Sequence, residues 1–257
     1  MKVASSIRIG SHATPDLVKK TIQTALKRAD LISANSLILL LTPDFAKDLQ
    51  LNIHEAATVA QTTQIIGCMA PCIFTEQDWV TDAAGVAVMV FDEQLQWMNP
   101  VNQESAQSIL TIAAPHALNT SWMKQNGQRF GAVAGDATGF GSYTVWQNGK
   151  GIPESYLQKV LQGVDLNIQY LEQLKKVNAD FGFLFSPISD LLLDEKSTPR
   201  LARPVINEKL KYIKKIYGNL PLIGFLGNGQ ITPSNVADRP CEIHTNSSLL
   251  ALFKAGQ

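Results

Sequence analysis

The chain has 257 residues, a length that suits one large domain or two small ones at about 150 residues each. Its 22 Lys and Arg balance 22 Asp and Glu, 17% of residues are charged and 45% are hydrophobic, so the composition fits a soluble globular protein with a substantial core. There is no basic excess to neutralise phosphates, which excludes nucleic acid as the expected partner; the longest basic cluster, Lys209, Lys211, Lys214 and Lys215, falls on one predicted helix. The apolar runs are far shorter than the roughly 18 residues of a membrane span, and Met1-Lys2-Val3 leads into no secretory core, so a cytoplasmic protein away from membranes is expected. Three cysteines, an odd number, are expected to be thiols.

In chain order, Thr14-Pro15-Asp16 is a helix start: Thr14 can cap, Pro15 suits the first helical position, and Asp16 complements the dipole. Val18, Ile22, Ala25 and Ala29 then recur on one face. The run Leu37 to Leu41, closed by Thr42-Pro43-Asp44, reads as a buried strand ending in a turn. Ile53, Ala56, Ala57 and Ala60 mark a second helix, followed by strands at Gln64 to Cys68, Gly85 to Phe91 and Phe130 to Ala134. Ser142 to Trp146 reads as a strand and Asn148-Gly149 as a hairpin turn. From Pro153 a helical pattern runs through Leu157, Val160, Leu161, Val164, Ile168, Leu171 and Leu174, weakened by Gly163. Strand Phe181 to Ser186, a helix through Ile206, Leu210, Ile213 and Tyr217, strand Leu220 to Leu226, the turn Gly227-Asn228-Gly229 and strand Ser248 to Phe253 complete the reading. The expected fold class is α/β, with α+β as the variant: mixed sheets flanked by helices, in two parts, 1–150 and 151–257.

Several constellations were weighed for chemistry. Cys68 and Cys72 with Cys241 and His244 offer the ligand types of a tetrahedral zinc site, but their separation in sequence favours three buried thiols. The glycines from Gly131 to Gly141 follow a strand without opening a helix, so they form no dinucleotide fingerprint, and no P-loop lysine is present. His54-Glu55 lacks the second histidine of a zincin, and no G-x-S-x-G elbow occurs. Asp190, Asp194 and Glu195 read as a solvated loop. No catalytic constellation emerges, and a non-enzymatic protein is expected.

Taken in order, several segments resemble one family, the FIST domain (F-box and intracellular signal transduction) proteins. They are the opening helix leading to Ser36 through Asp44, the Gly67-Cys68 step, the strand Gly85 to Phe91, Val133-Ala134-Gly135-Asp136 with Tyr143 to Gly149, and Phe183 to Ser186. The most specific is Pro221 through Pro233, similar to the family's G-F-x-x-x-G-E-I-x-P signature, with Gln230 where the family has Glu; His244-Thr245-Asn246 follows. Met69-Ala70-Pro71-Cys72 also departs from the family pattern, and the chain is shorter than a typical member.

The resemblance implies a FIST amino-terminal part over 1–150, a shortened carboxy-terminal part over 151–257, and a sensor that binds a small molecule, amino-acid-like by family precedent. Its output would pass through a partner protein such as a histidine kinase or diguanylate cyclase. The expected ligand site comprises Cys68, Gly135, Asp136, Gly227, Asn228, Gly229, Gln230, His244 and Asn246: glycines admit a ligand to the backbone, Asp136 could pair an ammonium, and Gln230 can donate and accept. Alternatives are haem-based nitric oxide sensing with His116, His244 or Cys68 as axial ligand, a scaffold subunit with a vestigial pocket, and, last, a thiol-dependent enzyme using Cys68.

Overall fold

A computed structural model describes residues 1–100, 108–117, 122–124, 127–136, 141, 143–149, 154–191, 205–236 and 239–256. Three mixed β-sheets and three α-helices make up the described chain, an α/β or α+β architecture as expected. The strands are β1 (Val3–Gly10), β2 (Ser36–Leu41), β3 (Ile65–Met69), β4 (Cys72–Thr75), β5 (Trp79–Thr81), β6 (Ala84–Phe91), β7 (Gln96–Met98), β8 (Ser108–Ala113), β9 (Gln128–Val133) and β10 (Val145–Trp146). They continue with β11 (Tyr156–Gln162), β12 (Val164–Tyr170), β13 (Phe181–Pro187), β14 (Leu222–Gly227), β15 (Gln230–Val236), β16 (Arg239–His244) and β17 (Leu249–Ala255). The helices are α1 (Pro15–Ala29), α2 (Leu49–Ala60) and α3 (Val205–Tyr217).

The first sheet has the order β1-β6-β2-β3-β10, the second β16-β15-β9-β8-β11-β7, and the third β12-β17-β13-β14-β4-β5. Both six-stranded sheets combine strands from before and after residue 150, so hydrogen-bonded pairing does not divide at the expected boundary.

Local chemistry explains α1. The Thr14 hydroxyl accepts from the Leu17 N–H at 3.3 Å, Pro15 occupies the first turn, and Asp30 closes the helix in the left-handed conformation. Val18, Ile22, Ala25 and Ala29 are buried on one face of the first sheet together with Ile53, Ala56 and Ala60 of α2. The small residues of α2 let it lie close to the sheet. α3 covers the outer face of the third sheet through Ile206, Leu210 and Ile213. The opposite faces of all three sheets meet in one apolar core that includes Ile38, Met89, Phe130, Leu157, Phe183 and Phe253.

The long helix expected over residues 157–174 is absent; the segment is the β11–β12 hairpin followed by a single 3-10 turn at Leu171–Gln173. Leu157 and Leu161 alternate with less buried neighbours in β11, while Leu166, Ile168 and Tyr170 alternate with Asp165, Asn167 and Gln169 in β12. The same apolar residues also satisfy i, i+3 and i+4 spacing, but Gly163 at φ 89° reverses the chain, and period two prevails. This hairpin crosses between sheets: β11 joins the second and β12 the third. The expected Asn148-Gly149 turn leads into residues 150–153, which lie outside the described residues.

Candidate functional site

The chain crosses between the second and third sheets twice more, at residues 227–230 from β14 to β15 and at residues 245–248 from β16 to β17. These crossings gather most of the residues singled out in the sequence. β14 ends at Gly227, where a Cβ would land on the Val133 carbonyl oxygen, so only glycine permits this approach. The Asn228 N–H donates to Val133 O at 2.9 Å, and the Val133 N–H donates to Gly229 O at 2.8 Å, locking the turn to the end of β9. Gly135 follows two residues later, and the Asp136 carboxylate accepts from the Tyr143 hydroxyl at 3.1 Å. Burial first, and then the bond to Asp136, push the Tyr143 phenol up to about 12. Asp136 is thus tied to tyrosine in the described structure.

Gln230 pairs across β15–β16 with His244 and across β15–β9 with Ala132, so all three share a face of the second sheet. Ala132 belongs to the central core, which identifies that face as the one turned toward the third sheet. Gln230 is 0% exposed, and neither its amide oxygen nor its amide nitrogen has a hydrogen-bond partner. Two residues along the same face, the buried Thr232 hydroxyl is also unpartnered. A buried polar group left without a partner costs about 1–3 kcal/mol, and natural proteins keep few of them.

Opposite them, the edge strand β12 presents Leu166, Ile168 and Tyr170 as half-buried walls of the same core. The Tyr170 ring meets His244 edge-on with centroids 6.1 Å apart, and His244 Nε2 lies 3.7 Å from the Glu242 carboxylate. A cavity of about 280 Å³ lies between the two sheets, lined in part by Phe130, Leu161, Leu166 and Phe253. Its lining also includes Ser108 and Asp165, and does not include Gln230 or Thr232. Asn246 is exposed on the connection to β17.

Cys68 does not present a ligand group: it sits in β3, 0% exposed, with its thiol in the apolar core and pushed strongly up by burial. Cys72 and Cys241 pack in two other clusters, so the three thiols do not converge as the zinc constellation requires. Burial, then the charges of Asp82 and Asp190, raise Cys72 to about 12. Native protein at pH 8 is therefore expected to leave Cys68 and Cys72 unalkylated by iodoacetamide while urea-unfolded protein reacts fully; rapid native modification of Cys68 in a mass spectrum would revive a thiol chemistry there.

Of the haem candidates, Cys68 is enclosed by core packing, exposed His116 contacts Ser155 Oγ at 3.2 Å, and His244 faces Tyr170 and Glu242.

A second polar cluster lies under α3. Asp190, expected on a solvated loop, is instead buried, and Lys209 of the basic helix reaches it at 2.6 Å. Lys209 also donates to Ser248 Oγ at 2.7 Å, Ser248 and Ser186 hydroxyls are 2.7 Å apart, and Ser186 bonds Asp190. The four side chains close a ring that ties α3 to β13, to the 3-10 turn Ile188–Leu191 after it and to the connection just before β17. Its ingredients are those of a serine–lysine nucleophile, but here the amine and the hydroxyls bond one another and Asp190 within a buried ring. Burial, opposed by Lys209, leaves the Asp190 carboxyl above its ordinary value. No sequence spacing links these four positions, so the ring was invisible before folding.

No protein-family model matches the chain, and no curated protein matches it. Among the described residues no helix is long and apolar enough to cross a membrane.

Proposed function

We propose that the protein is a non-enzymatic, FIST-like small-molecule sensor or binding protein of the cytoplasm, with its ligand held in the cleft between the second and third sheets. The observation that carries this reading is the Gln230 amide, fully buried with both ends unpartnered on the core-facing side of the second sheet, between Ala132 and His244. A cleft of mostly apolar walls with a few convergent polar groups is the usual form of a ligand site. The interlocked turns at Val133 to Asp136 and Gly227 to Gln230 hold one end of it. Output would pass through a partner protein such as a histidine kinase or diguanylate cyclase.

Native mass spectrometry of freshly purified protein, compared with its denatured mass, tests the reading. An added mass of a small metabolite, lost on denaturation and absent from the Gln230→Met variant, is expected. A bare mass that also stays bare after incubation with a metabolite extract would shift the balance to a scaffold subunit with a vestigial pocket, whose charge-state series would reveal its oligomer.

A further inference from the structure

We infer that β12 is a docking edge for a second copy of this chain, the two β12 strands pairing antiparallel about Asn167 and joining the third sheets of two protomers into one. The pairing does not depend on whether the cleft holds a ligand.

The sheet edges differ in how they are protected. β5 and β7 have three residues each and β10 has two, too short to template a partner strand. β16 carries Pro240 and a register shift against β15. On β1 the Ser5 carbonyl accepts from Arg28 Nη1 and Gln77 Nε2, both at 3.2 Å. β12 has none of these devices: its seven residues contain no proline, lysine or glycine and pair with β17 in unbroken register.

The free backbone groups of β12 follow from its ladder. The Gly256 N–H donates to Gly163 O and the Leu171 N–H donates to Ser248 O, so the odd-numbered residues bond toward β17. Antiparallel alternation then turns the N–H and C=O of Val164, Leu166, Ile168 and Tyr170 outward, and among the described residues nothing bonds to them. Their side chains are half-buried against the central core, so a neighbouring strand would extend the apolar surface they pack on.

A second copy fits because the strand is complementary to itself. With a two-fold axis at Asn167, outward residues meet outward residues: Leu166 lies opposite Ile168 of the second copy, and Val164 opposite Tyr170. Every outward N–H and C=O of the strand then finds a partner. Asp165, the strand's one charged residue, falls opposite the neutral Gln169, and Asn167 falls opposite itself, so no like charges meet.

Sedimentation of the full chain over a concentration series, combined with cross-linking, tests this. Wild type is expected to pass from monomer to dimer mass as concentration rises. Asn167→Lys sets two ammonium groups face to face at the axis and is expected to weaken the dimer severalfold with an unchanged circular dichroism spectrum. Residue 167 is also a non-hydrogen-bonded site across the axis, where Cα atoms lie about 4.5 Å apart, within disulfide reach. Asn167→Cys is therefore expected to cross-link into a dimer when copper phenanthroline oxidises the thiols. Asp165→Cys, which faces Gln169 instead of itself, is expected to stay uncross-linked, and the native thiols are buried. A single monomer mass at every concentration overturns the inference. So does a dimer that Asn167→Lys leaves unweakened, or one that Asn167→Cys fails to cross-link. A monomer that carries a foreign peptide, lost in Asn167→Lys, would give the edge to another partner and overturn the second copy.

Discussion

Replacing Lys209 by methionine is expected to destabilise the fold by about 3–5 kcal/mol, the range found when one partner of a buried ion pair is removed. The methionine keeps the packing of the aliphatic stem beneath α3 but leaves the Asp190 carboxylate buried with the Ser186 hydroxyl as its remaining support from the ring. Urea unfolding monitored by circular dichroism would show the loss as a lower midpoint at unchanged slope. The deficit also has a sign in pH. Burial already holds the Asp190 carboxyl above its ordinary value of 3.8, and without Lys209 it rises further. A carboxyl whose folded pKa is raised binds its proton better in the folded state, so the favourable contribution is complete below the unfolded pKa and is lost as pH climbs through the folded one. The gap between wild type and variant should therefore be small near pH 4 and widen toward pH 7. Lys209→Met combined with Asp190→Asn should recover most of the loss at pH 7, because the orphaned charge is then gone. A deficit below about 1 kcal/mol that ignores pH would mean the ring is solvated and α3 is held by Ile206, Leu210 and Ile213 alone.

What the sequence disclosed depended on how local the determining physics was. α1 was legible because Thr14, Pro15 and Asp16 write a helix start within three residues, and β2, β6, β13 and β14 because unbroken apolar runs suit strands buried on both faces. The β11–β12 hairpin was misread because Leu157, Leu161, Val164 and Ile168 satisfy both periods, and the decision came from Gly163 and from pairing partners as distant as Ala255. β1 and β4 escaped notice because they are short or polar on one face, and their strand character comes from β6 and β14 beside them.

The candidate site divides in the same way. Its glycine turns were legible, since Gly227 and Gly135 stand out in any sequence, and the structure brings both to Val133. Asp136 was read as an open carboxylate but is bonded to Tyr143, a partner seven residues on that carries no turn signal of its own. Gln230 was read as a ligand-site residue of the signature turn; its burial inside the core face depends on the register with Ala132, which no local pattern encodes. Asp190 was assigned to solvent from its acidic neighbours, whereas its environment is set by Lys209, Ser186 and Ser248.

The Gln230→Met variant is expected to be more stable than wild type, by about 1–3 kcal/mol, when both are stripped of ligand by unfolding and refolding. Methionine is unbranched, close to glutamine in length and free of strong hydrogen-bonding atoms, so it fills the same space and removes an amide that finds no partner on a buried face. For a chain of this size each kcal/mol moves the melting temperature by roughly 2–4 °C, so a rise of several degrees should appear by differential scanning calorimetry. Thr232→Val, which removes the second unpartnered group, should act in the same direction by a smaller amount. A residue retained for structure loses stability when replaced; one retained for binding gains it, because its polar atoms are kept unsatisfied for a guest. A Gln230→Met protein that melts several degrees lower than wild type would place the amide among the groups that hold the fold, and the cleft would lose the observation on which its reading as a ligand site depends.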